Sequence, residues 1–338
     1  QIGQSDSQTQ SSSSQRPAAP IDVVALAPFE YVTKDDECVI IGVKDPAMTD
    51  IVVPDCVTDI VFGAFSKCPF VSSLTLPIVE KRLSDYFGGG NFIPESLTTV
   101  VLSDYVTSIG ENAFRDCSSL TSVTIPASVT SIGEYAFSGC NLISVEIPDN
   151  VTSIGNSAFS GCSSLTSVEI PDSVTSIGNN AFNNCSNLTS VTIGEGVTII
   201  GNSAFFNCSG LTGVYISDMA AWGAIEFGDN PLSYAHNLYL NGELVTELVI
   251  PDGVTSIGGY AFCDCSGLSS ITIPDGVTSI GKGVFYNCTG VTSIELPSGL
   301  TSIGGSAFSG CSGLISLYYG GTKEEWHAVN IDYDNDNL

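Results

Sequence analysis

The sequence predicts an α/β solenoid, built by stacking near-identical coils that each give one short strand to a shared parallel β-sheet. Three observations lead to it. A Val-Thr-x-Ile start recurs at Val57, Val106, Val129, Val151, Val174, Val197, Val254 and Val277, and as Leu-Thr-x-Ile at Leu300, most neighbours being 23 residues apart. The unit reads V-T-S-I-G-x-x-A-F-x-x-C-x-x-L-T-S-V-x-I-P-x-x, with apolar residues alternating over one stretch and spaced for a short helical turn over another. Hydrophobic residues make up 43% of the 338 and charged ones 13%, so a core can be buried while Ser, Thr, Asn and Gly cover the surface.

Each part of the unit has a mechanical reading. In the copy from Val151, Leu165 to Ile170 sends Val168 and Ile170 to one side and Ser167 and Glu169 to the other, as a strand of period two does. Pro171 has no N–H for a ladder and ends the strand before a turn at Asp172. Val174 and Ile177 point inward from a second extended leg, and Gly178 is read as allowing a tight change of direction. Ala158, Phe159 and Cys162 are expected on one short helical turn. A single coil cannot offset the entropy of ordering its own backbone, so stability must come from neighbours covering each other's apolar faces.

The rest of the chain is read around this array. Residues 1–25, opening "QIGQSDSQTQSSSSQRPAAP", form a flexible tether expected to remain after removal of an export signal. Residues 26–56 are an N-terminal cap, with a hairpin around Lys34 to Asp36 and a first strand. Repeats fill 57–216, with an insertion at 78–96. A helix-hairpin insertion occupies 217–247: Ser217 and Asp218 suit a helix start, and Asn241-Gly242 between apolar strands suits a type I′ turn. Repeats resume over 248–319. Residues 320–338 partly copy the second insertion, setting Trp326 against Trp222, but lack its hairpin, so a trimmed portion of a longer protein or an incomplete cap is expected.

The L-x-x-L-x-L core (Leu120, Val123, Ile125; Leu188, Val191, Ile193) resembles a leucine-rich repeat. With I-G-x-x-A-F-x-x-C and a Pro after the strand, residues 50 to 320 resemble the BspA-like subclass of secreted and surface proteins. The resemblance implies a right-handed superhelix, a concave parallel sheet and, as in several members, attachment to host or neighbouring-cell proteins. It offers no shared catalytic residues to carry over.

The chemical candidates are weak beside the repeat. Nine of twelve cysteines (Cys68, Cys117, Cys140, Cys162, Cys185, Cys208, Cys265, Cys288, Cys311) hold one repeat position and read as a buried column of free thiols. Cys38, Cys56 and Cys263 lie outside it; a Cys38–Cys56 bridge is open, and Cys263-x-Cys265 is too few ligands for a metal. His236 and His327 lie near Asp229 and Asp332, so a hydrolase using the insertions is a remote alternative. The Asp332–Asp336 run resembles the start of a calcium loop but lacks its glycine and later Glu. No metal and no cofactor is expected, and the chain is read as a non-enzyme.

The net charge is −27, and no Lys or Arg occurs between Arg115 and Lys282, which argues against nucleic acid and anionic membranes as partners. The expected function is an extracellular or cell-surface scaffold presenting its concave sheet to a protein or glycan. The partner-facing residues are Glu146, Glu169, Thr192, Tyr215, Thr272, Glu295 and Tyr318 on the outward strand row, with Trp222 from the insertion. The alternative is a structural spacer or stalk that positions another domain.

Overall fold

The computed structural model describes residues 19–338 apart from 36, 80, 91, 336 and 337. The expected tether over 1–18, the hairpin residue Asp36 and the tail residues Asp336 and Asn337 lie outside the described residues. The fold is a β-solenoid of stacked coils, with two parallel ladders running along it. The first joins the longer strands: Ser167–Ile170 pairs with Ser190–Ile193, and that strand with Gly213–Ile216, residue for equivalent residue. The second joins two-residue strands at the Ser-Ile step, such as Ser153–Ile154 with Ser176–Ile177.

Opposite the first ladder, the expected short helical turns are absent, and consecutive hydrogen-bonded turns stand in their place. Ala158 N bonds Gly155 O, Ser160 N bonds Ser157 O and Cys162 N bonds Phe159 O. The reason lies in the backbone: Ser157 (φ 53°) and Gly161 (φ 75°) are left-handed, and their equivalents Asn180 and Asn184 are too, so no helical run can propagate. Apolar spacing alone does not reveal that reversal. The turns gain their support from the next coil, where Phe159 N bonds Ala181 O at 2.8 Å and Gly161 N bonds Asn183 O at 2.7 Å.

Gly178 also acts differently from its expected role in a change of direction. A Cβ there would sit 2.6 Å from Asn156 N and from Gly155 C, so the glycine lets neighbouring coils approach.

The interior is a set of columns. Phe114, Phe137, Phe159, Phe182 and Phe205 stack with centroids 5.2–5.3 Å apart, and Phe262, Phe285 and Phe308 continue the motif. All twelve cysteines are buried free thiols, Cys38 and Cys56 included. The column is more than filler: each thiol from Cys140 to Cys208 donates to the phenylalanine carbonyl of the preceding coil, as Cys162 Sγ does to Phe137 O at 3.3 Å.

Both interruptions of the repeat supply coils to the stack. In the first, Tyr86 and Phe87 pack edge-on to Phe65 at 6.1 and 5.8 Å, and Phe65 N bonds Tyr86 O. In the second, Asp218 caps the helix Met219–Gly223 by accepting from Ala221 N, Glu226–Phe227 extends the second ladder, and Leu238–Leu240 extends the first. Leu238–Leu240 then pairs antiparallel with Glu243–Leu244, where the first ladder ends; it restarts at Glu247–Val249. At the N-terminal end, Phe29–Lys34 and Glu37–Val43 pair antiparallel, and the latter joins Asp59–Ile60, covering the first coil.

Candidate binding face

The face is made by the outward row of the first ladder, because strand alternation sends Val168 and Ile170 into the core and leaves Ser167 and Glu169 outside. Register aligns Glu169 with Thr192 and Thr192 with Tyr215. Glu146 belongs to the same row one coil earlier, but its segment forms no strand, so the ladder is interrupted between Ser122–Thr124 and Ser167–Ile170. That coil is the one with a residue missing after Cys140, which shortens the path to the strand.

Glu146, Glu169, Thr192 and Tyr215 line one depression of about 760 Å³ on this face, together with Asp149 and Asp172 from the turns after Pro148 and Pro171. Thr272, Glu295 and Tyr318 align with one another on the separate C-terminal ladder, where Tyr318 is 60% exposed. They do not line the depression. Trp222 does not belong to any partner-facing surface: it is 1% exposed, tilts against Phe227 at 5.0 Å, and donates its Nε1–H to Ala261 O at 2.8 Å. A tryptophan in a departure from the repeat looks individual in sequence, yet here it fills the core of the inserted coil.

Sequence reasoning missed Tyr239, which stacks on Tyr215 with centroids 4.6 Å apart and planes 11° from parallel. The signal was present, since Leu238–Leu240 places Tyr239 in register with Tyr215, but the adjoining Asn-Gly turn drew the segment toward a hairpin reading. Gly213 makes the pair possible. Where earlier coils carry Ser167 and Ser190, a Cβ at 213 would lie 3.0 Å from Cε2 of both rings. The tyrosines therefore lean back over the bare backbone as a stacked pair, of which Tyr215 lines the depression.

The electrostatics are one-sided. Glu146, Asp149, Glu169 and Asp172 are exposed carboxylates. Asp172 accepts from Glu195 N at 2.9 Å, a backbone partner that leaves its charge uncompensated. The ion pairs among the described residues, Lys81–Asp59, Arg82–Asp116 and Arg115–Asp116, all lie in the N-terminal part.

The cysteines lie in the core, and the two histidines sit at the C-terminal ends of short helices. Burial pushes the Cys162 and Cys263 thiols up to about 12, away from thiolate chemistry. His236 Nδ1 lies 3.2 Å from the Asp264 carbonyl, and His327 is in the last turn of the helix Lys323–Ala328. Among the described residues, no group of three or more His, Cys, Asp or Glu is placed to hold a metal ion, and no helix is long and apolar enough to cross a membrane.

Comparison with known proteins agrees with the stacked coils. The BspA type leucine rich repeat region matches residues 85–212 and 235–325, in 6 copies. A leucine-rich repeat protein from Bacteroides ovatus is similar in structure, with 25% identity and a TM-score of 0.55, over 94% of this chain and 78% of that one. A leucine rich cell surface protein from Faecalibacterium prausnitzii is similar with 26% identity and a TM-score of 0.45, over 95% of this chain and 99% of that one. No curated protein sequence matches the chain.

Proposed function

The chain belongs to the BspA-type leucine-rich repeat family, and we propose that it is a non-enzymatic scaffold, exposed at a cell surface, that captures an extracellular partner on the outward face of its first ladder. The observation that carries this reading is the depression of about 760 Å³ along that face, lined by small side chains and by Tyr215, whose ring is stacked on Tyr239. Such a surface offers a rigid aromatic anchor whose immobilisation is already accomplished, beside hydroxyls and carboxylates that give orientation. Thr272, Glu295 and Tyr318 extend the same row on the C-terminal ladder and form its secondary contact region. The surface location is supported by the resemblance to secreted and surface proteins.

A screen of the full chain against a displayed peptide library and a glycan array tests the reading. Binders found there should lose at least about tenfold in affinity to Thr192→Arg, which fills the middle of the depression, a change of the size expected for obstructing an interface centre. Glu134→Arg, on the opposite turns, should leave them unchanged. Binders indifferent to Thr192→Arg would reject the face, and the failure of both screens to yield any binder would favour a spacer. Antibody labelling of intact producing cells checks the location, and labelling only after lysis would refute it.

A further inference from the structure

The depression also has a chemistry that narrows its occupant, and this step rests on the sheet-face reading above. Its lining carries Glu146, Asp149, Glu169 and Asp172 on two successive coils, with Thr192 and Tyr215 on the next two. Carboxylates gathered on a fixed face repel one another, and a bound positive group relieves that repulsion. The chain provides none nearby, since no Lys or Arg lies between Arg115 and Lys282 and the net charge is −27. Tyr215 also lines the depression, its ring backed by the stacked Tyr239, and an aromatic ring attracts a guanidinium or ammonium group through its quadrupole. Gly213 is what lets both rings come so close to the backbone of the middle strand.

We infer that the depression is a docking groove for an extended, Arg- and Lys-bearing segment of a partner protein. One basic side chain lies against the exposed part of Tyr215, and others reach Glu169 and Glu146 along the stack. At about 4.8 Å per coil, the four coils span about 14 Å, the length of about four extended residues. A short linear segment with alternate bases therefore matches the groove in length as well as charge. Thr192, between the acids and Tyr215, stays small and lets the segment lie close to the sheet.

The test uses the full chain and a fluorescein-labelled peptide of about ten residues alternating Arg and Ser, with a Gln/Ser peptide as the neutral control, followed by fluorescence anisotropy. A protein this acidic attracts any polycation, so the discriminating comparison is between variants of equal charge. The pair Glu146→Gln, Glu169→Gln should weaken the Arg peptide roughly tenfold at about 50 mM salt, whereas Glu111→Gln, Glu134→Gln on the opposite turns should weaken it less than about twofold. Tyr215→Leu, which keeps bulk and removes the ring quadrupole, should cost a few-fold. Circular dichroism confirms that each variant is folded. Equal losses for the two charge-matched pairs, equal binding of the neutral peptide, or no binding of the Arg peptide at micromolar protein would each overturn the inference. Binders that are neutral peptides or glycans, yet are lost with Thr192→Arg, would overturn it while leaving the sheet-face reading in place.

Discussion

The Cys162 thiol donates to Phe137 O of the preceding coil at 3.3 Å, while its own amide bonds Phe159 O at 3.1 Å. One residue therefore closes its turn and ties two coils, which a plain apolar filler of the same size would not do. Thiol titration of the folded protein should show these cysteines unreactive, and denaturation should expose twelve; abundant reactivity before unfolding would contradict the buried column. The pH dependence follows from the same burial. Cys162 is held at about 12 against an ordinary 9.0, so the folded state retains a proton that the unfolded chain has lost. The stability this contributes is present in full below about pH 9 and declines as pH rises toward 12. Denaturant midpoints measured across that range should fall less steeply in Cys162→Ala than in the native chain, and parallel curves would show that the thiol is not responsible. Gly178 gives a second residue-scale test. A methyl group 2.6 Å from neighbouring backbone must push two coils apart, so Gly178→Ala should cost at least about 2 kcal/mol in chemical denaturation, and an unchanged midpoint would show that the coils can yield.

At the scale of the element, legibility depended on whether identity alone fixes a role. The strand after Leu165 and its Pro171 stop could be read directly, because alternation and a missing N–H mean the same thing in any surroundings. The cysteine column could be read because the residue holds one position in nine repeat copies. The opposite wall could not: Ala158, Phe159 and Cys162 have a helix-like spacing, but the left-handed Ser157 between Gly155 and Ala158 turns the backbone away, and serine carries no strong signal for that conformation. The coil around Glu146 combines both cases. Its missing residue was visible beside Cys140, whereas the loss of the strand arises only from how the shortened path meets its neighbours. Inserting a serine between Asn141 and Leu142 should restore the C-x-x-L spacing and join the two ladders. We expect a gain of about 1–3 kcal/mol from a few added ladder bonds, seen as slower amide exchange in Ser122–Thr124 and Ser167–Ile170, and exchange as fast as in the native chain would show that the break has another cause.

For the whole molecule, the critical level is the coil that contains Trp222. Both ladders stop there, the first after Glu243–Leu244 and the second after Glu226–Phe227, and resume at Glu247–Val249 and Ser256–Ile257. A solenoid unfolds as one body only while each interface is strong enough to transmit order to the next coil. Across this break the transmission runs through side chains and a few backbone bonds: Trp222 Nε1 to Ala261 O at 2.8 Å, Asn230 Nδ2 to Tyr260 O and Ala261 O at 2.8 and 3.0 Å, and Gly258 N to Gly223 O at 2.8 Å. Trp222, buried rather than exposed as a surface anchor, is thus one of the few couplings between the two halves. Trp222→Leu removes the indole bond and part of the packing while remaining apolar, and it leaves Trp326, at the C-terminal end, as the chain's only tryptophan. In that variant, tryptophan fluorescence reports the C-terminal half alone, whereas far-ultraviolet circular dichroism reports every coil. The two probes should give separated denaturant transitions in Trp222→Leu, with the C-terminal half, which has fewer coils to support it, melting first. Coincident transitions would mean that order crosses the break without the tryptophan, and that the Asn230 bonds and the backbone contact at Gly223 suffice to hold the stack as one unit.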